Sequence, residues 1–174
     1  SSLNRSIYGV VLGECTVAEA RVRAEGGYDV VGSNRELAGA EVELVQLERR
    51  EQRLRAALQA VAGDYDFVLI DCPPNVGILT FNALRAAQEV IIPLETSYYS
   101  MHGVGKLLET IGLLEDRIGH SLKIRILPTL FDGRTRFAKR ALAEIRETYK
   151  DLVFDTVIRS NVRLREAAQR GIPI

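Results

Sequence analysis

The sequence predicts an α/β fold, a mostly parallel sheet flanked by helices on both faces. Three observations carry that expectation. Short continuous apolar runs recur along the chain, at Phe67–Ile70, at Val90–Leu94 and within Lys123–Leu130. Such runs, rather than apolar–polar alternation, mark strands covered on both faces by helices. Segments of about ten residues or more with helical apolar spacing stand between them, as right-handed crossovers require. Finally, no internal repeat, low-complexity tract or Pro/Gly/Ser linker divides the 174 residues, so residues 1–174 read as a single α/β domain.

The elements follow in order. Val17–Arg23 reads as a short helix and Tyr28–Ser33 as a short strand. Asn34 is a candidate N-cap for a helix carrying Leu37, Ala40, Val42, Leu44, Val45 and Leu47. An Arg-rich helix over residues 48–62 buries Leu54, Ala57, Leu58 and Val61, and Gly63 stops it. Its Arg49, Arg50, Arg53 and Arg55 alternate with Glu48 and Glu51 and read as a solvated face. The run Phe67–Ile70 is a buried strand whose exit is stiffened by Pro73 and Pro74. A helix over 78–87, a strand Val90–Leu94, a long helix over 101–118, a strand Lys123–Leu130, a basic helix Phe137–Tyr149, a strand Val153–Ile158 and a helix over 163–168 complete the chain.

Composition narrows the function classes. Hydrophobic residues make up 47% and charged residues 26%, so the chain can build a core rather than remain disordered. Cys15 and Cys72 form neither a disulfide framework nor zinc spacing, and His102 and His120 cannot make a His-rich metal site. No run approaches the ~18 apolar residues of a membrane span, and no signal-peptide pattern opens the sequence, so no membrane is expected and the cytoplasm is the default compartment. Net charge is zero, but it is unevenly placed. Residues 1–116 hold 10 basic and 17 acidic residues, whereas residues 117–174 hold 13 basic and 6 acidic. The front is therefore net −7 and the back +7, a pattern suited either to a polyanionic partner or to charges that interleave on a solvated surface.

In parallel sheets, ligands gather beyond the carboxyl ends of the strands. The polar residues at those ends are Asp71, Glu95, Asp132, Arg159 and Asn161. Asp71 follows four apolar residues, the pattern of a Walker B acid that helps to hold Mg²⁺ through water. An acid in that place also caps turns, and the position by itself does not choose between the two.

Longer blocks are more specific. The stretch YDFVLIDCPPNVGILTFNAL, followed by IIPLETSYYSMHGVGKLLETI, LPTLFDGRT and TVIRSNVRLREAAQRGIPI, resembles in order the blocks of the ParA/Soj partition ATPases, relatives of MinD. ELAGAEVEL matches a further family segment upstream. The resemblance implies a P-loop NTPase-like, Rossmann-like three-layer fold, ATP and Mg²⁺ as cofactors, and an ATP-bound homodimer on nonspecific double-stranded DNA. It also implies stimulation by a ParB-type partner and a cytoplasmic, nucleoid-associated location.

Residue by residue, it implies that Asp71 is the Mg²⁺-associated catalytic acid and that Pro73 and Pro74 form the switch turn sensing the γ-phosphate. Asp132 and Asn161 would line the adenine end. Arg134 and Arg163 would contact DNA backbone, with Arg136, Lys139 and Arg140 as helpers. Tyr98 and Tyr99 match an interface or core block, and Cys72 is expected to be packed rather than reactive.

Departures from the family pattern are also visible. No G-x-x-x-x-G-K-[ST] occurs anywhere, and Gly103-Val104-Gly105 matches a helical block, not a phosphate loop. Backbone amides and lysines that cradle phosphates are thus not encoded here. The expectation is of a chain that begins some way into the family domain, without the phosphate loop and first central strand, and ends before its last helices. Such a chain would neither bind nor hydrolyse ATP unaided, and would expose unpaired sheet edges. Arg159-Ser160 stands where the family has Pro-Arg, and Arg165-Glu166-Ala167-Ala168 where it has Ser-Glu-Ala-Pro. A MinD-type membrane-positioning ATPase, and a non-enzymatic α/β module binding DNA or a partner, are the alternative functions. The first calls for a C-terminal amphipathic helix that the sequence does not show, and DGRT with SNVRL favours the ParA type.

Overall fold

Where apolar residues find a ladder partner, this chain makes strands, and where they do not, it leaves extended backbone. A computed structural model of the chain describes residues 5–73, 77–119 and 121–171, without the side chains of residues 98–102, 116–118, 165 and 168. The chain forms two compact units, residues 1–87 and 88–174.

The first unit is mainly helical. It contains α1 (Ile7–Leu12), α2 (Val17–Ala20), the two-residue strands β1 (Val22–Arg23) and β2 (Asp29–Val30), α3 (Leu37–Val45), α4 (Arg53–Gln59) and α5 (Ile78–Ala86). Val11, Ala40, Leu44, Leu54 and Ala83 form one buried cluster, drawing α1, α3, α4 and α5 together. Val10, Val17, Ala20 and Val61 form a second. α2 begins with a capping box, in which the Thr16 hydroxyl accepts from the Glu19 amide while the Glu19 carboxylate accepts from the Thr16 amide. β1 and β2 pair antiparallel, Val22 with Val30 and Arg23 with Asp29.

Several expectations for this unit are corrected. Glu36, not Asn34, is the N-cap of α3; Asn34 instead accepts a bond from the Leu37 amide through its carbonyl. The Arg-rich helix is shorter than predicted, because residues 48–52 form turns around Arg49, whose φ is 50°. Nor are its arginines simply solvated. Arg53 donates from Nε to the Val11 carbonyl (2.6 Å) and from Nη2 to the Leu12 carbonyl (2.8 Å), and Arg50 donates to the Val45 carbonyl at 3.1 Å. Both satisfy carbonyls at helix ends that lack a partner within the helix. Gly13, at φ 82°, completes the arrangement, since a Cβ there would meet Arg53 Nη2 at 2.5 Å.

The largest correction is Phe67–Ile70. It is not a strand: residues 66–73 carry no ladder, and Phe67 and Leu69 are 87% and 88% exposed. Ile70 alone turns inward, against the first cluster. Among the described residues no second segment donates the backbone groups a ladder needs, so the apolar run stays extended and uncovered.

The second unit holds the parallel pair β3 (Glu89–Glu95) and β4 (Lys123–Thr129), joined by the long helix α6 (Tyr98–Ile118) and in register Val90 with Ile124 and Ile92 with Ile126. α7 (Arg136–Tyr149) and α8 (Val162–Arg170) follow. Parallel strands separated by a crossover helix place the unit in the α/β class. β3 buries Ile92 and Leu94 but leaves Ile91 46% exposed, so alternation replaces the expected burial on both faces. The predicted strand Val153–Ile158 is only a frayed third member. Ile126 pairs with Val153 on the edge opposite β3, and the Phe154 and Ile158 amides donate to the Ile126 and Pro128 carbonyls. α7 buries Ala138, Ala141 and Ile145 along one stripe. No helix among the described residues is long and apolar enough to cross a membrane.

Candidate functional site: two arginine turns beyond the parallel strands

At the carboxyl end of β4 the backbone makes a tight exit. Leu130 adopts φ 52°, a left-handed conformation unusual for a branched side chain, and remains half exposed. Phe131 then joins the neighbouring segment: its amide donates to the Ile158 carbonyl (3.1 Å), and its carbonyl accepts from the Ser160 amide (3.0 Å). This stitch holds two loops side by side, residues 131–135 leading into α7 and residues 159–161 leading into α8.

Both loops are built alike. In the first, Asp132 Oδ1 accepts from the Arg134 amide at 3.0 Å, and the Thr135 hydroxyl accepts from the Ala138 amide at 3.1 Å, capping α7. In the second, Asn161 Oδ1 accepts from the Arg163 amide at 3.0 Å, opening α8. Each is an Asx residue whose side chain ties down the amide two residues on, and each places an arginine at that position. Gly133 fits between Asp132 and Arg134 because a Cβ there would stand 3.2 Å from the Phe131 ring.

The charged groups differ. The Asp132 carboxylate takes the Arg134 guanidinium in a two-pronged pair, Nε to Oδ1 at 2.9 Å and Nη2 to Oδ2 at 2.8 Å. That contact, with the Arg134 amide, lowers the Asp132 carboxyl to about 2 and raises Arg134 above its ordinary value. Asn161 is neutral, and no ion pair reaches Arg163 among the described residues. Both arginines are exposed, as are Arg136, Lys139 and Arg140. The last three lie at i, i+3 and i+4 on α7, and so share one face. The structure thus gathers Asp132, Arg134, Asn161 and Arg163 at one end of the second unit.

Asp71, Cys72, Pro73 and Pro74 belong to the first unit. Asp71 is exposed at the end of the unpaired segment, and its carboxylate makes no hydrogen bond or ion pair among the described residues. Pro73 is exposed, whereas Pro74 lies outside the described residues, as does His120. The side chains of Tyr98, Tyr99 and His102 are likewise outside them. Cys72 is exposed rather than packed, because the segment that carries it is uncovered. Desolvation and the adjoining Asp71 carboxylate push its thiol up, away from the thiolate. No group of three or more His, Cys, Asp or Glu residues able to hold a metal forms among the described residues.

Sequence reasoning missed two polar centres. Asn82 is 1% exposed; its Nδ2 donates to the carbonyls of Arg50 (2.7 Å) and Ile78 (3.0 Å), and its Oδ1 accepts from the Leu54 amide (3.2 Å). The signal was an Asn inside an otherwise apolar helix stripe, which burial allows only when every polar atom is paired. The other centre is Asp29, which accepts from the Tyr65 hydroxyl (2.6 Å) and Arg23 (3.1 Å), while Arg21 donates to Tyr65 at 2.7 Å. No spacing in the sequence marks that contact, which joins residues 36 positions apart.

Comparison with known proteins places the chain in a family. The AAA domain family model covers residues 1–124. The chain is 38% identical over 176 residues to the sporulation initiation inhibitor protein Soj of Bacillus subtilis, covering 100% of the chain and 70% of Soj. It is 41% identical over 175 residues to the chromosome partitioning protein ParA of Myxococcus xanthus, covering 99% of the chain and 62% of that protein. Among solved structures it is similar to cobyrinic acid a,c-diamide synthase from Mycobacterium smegmatis with bound ATP analog and magnesium. That match has a TM-score of 0.82 at 38% identity, over 90% of the chain and 64% of the synthase. The chain spans about two thirds of the length of these relatives. By sequence and by fold, the chain belongs to the ParA/Soj family of partition ATPases.

Proposed function

We propose that the chain serves DNA partition, and that its second unit is the part that meets nonspecific duplex DNA. The observation that carries this reading is the stitched pair of loops, which bear the exposed Arg134 and Arg163, with exposed Arg136, Lys139 and Arg140 on the helix that follows the first. An arginine donates to phosphate in a forked geometry, and backbone contacts of that kind carry no base sequence. The net charge of +7 over residues 117–174 supports the same surface.

In this reading the surface of each chain meets duplex DNA by itself, and an ATP-bound dimer stimulated by a ParB-type partner is what the ParA/Soj resemblance implies. Two such surfaces on one duplex add avidity. Asp71, an exposed carboxylate without a partner among the described residues, fits a Mg²⁺ ion held through water, which when present supplies charge neutralisation at phosphate oxygens. By the same resemblance Pro73 and Pro74 correspond to the switch turn that senses the γ-phosphate, and Asp132 and Asn161 to the blocks that line the adenine end. The 174 residues encode no phosphate loop, so the purified chain should show no ATP turnover above background.

The test is duplex binding across a salt series. Each lost phosphate contact lowers the salt slope by about 0.9. Arg163→Ala, and Arg136→Ala with Lys139→Ala, should weaken binding equally on unrelated sequences. Unchanged affinity and slope in all of these, and in Arg134→Ala, would remove the DNA assignment.

A further inference from the structure

The two arginine turns share a backbone plan but differ in one side chain, and the difference is one of charge. Asp132 binds the Arg134 amide and also both prongs of its guanidinium. Asn161 binds the Arg163 amide at the same 3.0 Å, and among the described residues no carboxylate pairs with the Arg163 guanidinium. Neither arginine is held by burial: the Arg134 side chain is 90% exposed, and Arg163 is exposed as well. What holds Arg134 is the carboxylate.

We propose that Asp132 is a positioning residue that withholds Arg134 from anions, so that DNA is met first by Arg163, and Arg134 joins only when the Asp132 carboxylate is engaged by another donor. This rests on the DNA-binding reading above and adds regulation to it. A guanidinium already in a forked pair has spent its best-aligned donors, and a phosphate must displace the carboxylate to use them. It also meets the negative charge of Asp132 as it approaches. An exposed pair is weak enough to be displaced, which makes the contact a reversible latch rather than a permanent block.

The geometry supplies a clean variant. Asp132→Asn keeps an Oδ1 to accept the Arg134 amide, as Asn161 does for Arg163, and removes only the charge. Arg134→Lys is the second variant: it keeps the cation but cannot fork across both carboxylate oxygens. Asp155→Asn, an exposed acid elsewhere in the unit, controls for the general loss of negative charge.

Binding of a fluorescently labelled mixed-sequence duplex by the 174-residue chain is measured without nucleotide from low to moderate salt. Circular dichroism confirms that each variant is folded. Arg163→Ala should weaken binding about fivefold, and Arg134→Ala less than twofold, because Arg134 is already occupied. Asp132→Asn should tighten binding about threefold to fivefold and steepen the salt slope by about 0.9, one newly recruited contact. Arg134→Ala added to Asp132→Asn should abolish that gain, and Arg134→Lys should steepen the slope as Asp132→Asn does. An Asp132→Asn protein with wild-type affinity and slope, or the same gain from Asp155→Asn, overturns the latch. If that happens while Arg163→Ala still weakens binding, the DNA reading stands without it. If no variant moves affinity or slope, the DNA reading itself has failed.

Discussion

Residues 66–71 and 89–95 are written almost alike. Each begins with an acid, continues through apolar residues and ends in an acid: Asp66-Phe-Val-Leu-Ile-Asp71, and Glu89-Val-Ile-Ile-Pro-Leu-Glu95. The second is β3, paired along its whole length with β4 and burying Ile92 and Leu94. The first has no ladder partner among the described residues, and its Phe67 and Leu69 stand almost wholly in solvent. Intrinsic β-preference is therefore similar in the two and cannot be what separates them. The difference is a neighbour: a strand forms when another segment satisfies its amides and carbonyls and covers its side chains.

That contrast can be broken most directly by truncation. Ile126 is 0% exposed and pairs on both edges of β4, so Ile126→Ala should cost about 2–5 kcal/mol in urea unfolding. Leu69→Ala, at 88% exposure, should cost less than about 0.5 kcal/mol. Comparable losses at both sites would mean that residues 66–70 are covered in solution.

The next effect concerns the polar core of the first unit. Asn82→Ala leaves the Leu54 amide and the Arg50 and Ile78 carbonyls without a side-chain partner, and should destabilise the chain by about 1–3 kcal/mol. Asn82→Asp keeps an acceptor for Leu54 but loses both donations and buries a charge, and should be worse. Equal stability of Asn82→Ala and wild type would reduce the Asn82 contacts to bystanders.

The uncovered segment should also be the adhesive one. Leu69→Lys places a charge in the middle of an open edge and should lower self-association, read by light scattering, while leaving the unfolding midpoint unchanged. Unaltered association would locate the sticky surface elsewhere.

Smallest is a pH effect confined to the second unit. The folded-state value of Asp132 lies below its unfolded one, so its contribution is present above about pH 4 and fades as pH falls through about 2. Arg134→Ala should return the Asp132 midpoint, followed by carboxyl NMR, towards the ordinary range. A midpoint that stays near 2 in that variant would assign the shift to the backbone turn instead of the ion pair.

Much of this was legible in the residues. Helical spacing located α5, α6 and α7 to within a few residues, because a stripe such as Ala138, Ala141 and Ile145 announces its own buried face. The family blocks pointed to Asp132, Arg134, Asn161 and Arg163, and short-range chemistry explains why: an Asx side chain reaching an amide two residues on is decided within four residues of chain. The roles of Arg50 and Arg53 as helix-end caps were not legible, since Arg53 serves carbonyls 41 and 42 positions away.

The sequence by itself thus determined the α/β class, the helices α5, α6 and α7 and the uneven charge, all of which depend on local periodicity or composition. Only the tertiary structure decided that Phe67–Ile70 would lie open, that Val153–Ile158 would pair at its two ends and not as a strand, and that the two arginine turns would stand together through Phe131. Each of those outcomes turns on a backbone hydrogen bond made or missing between distant segments. A ladder needs two members, and one strand's residues do not specify the other.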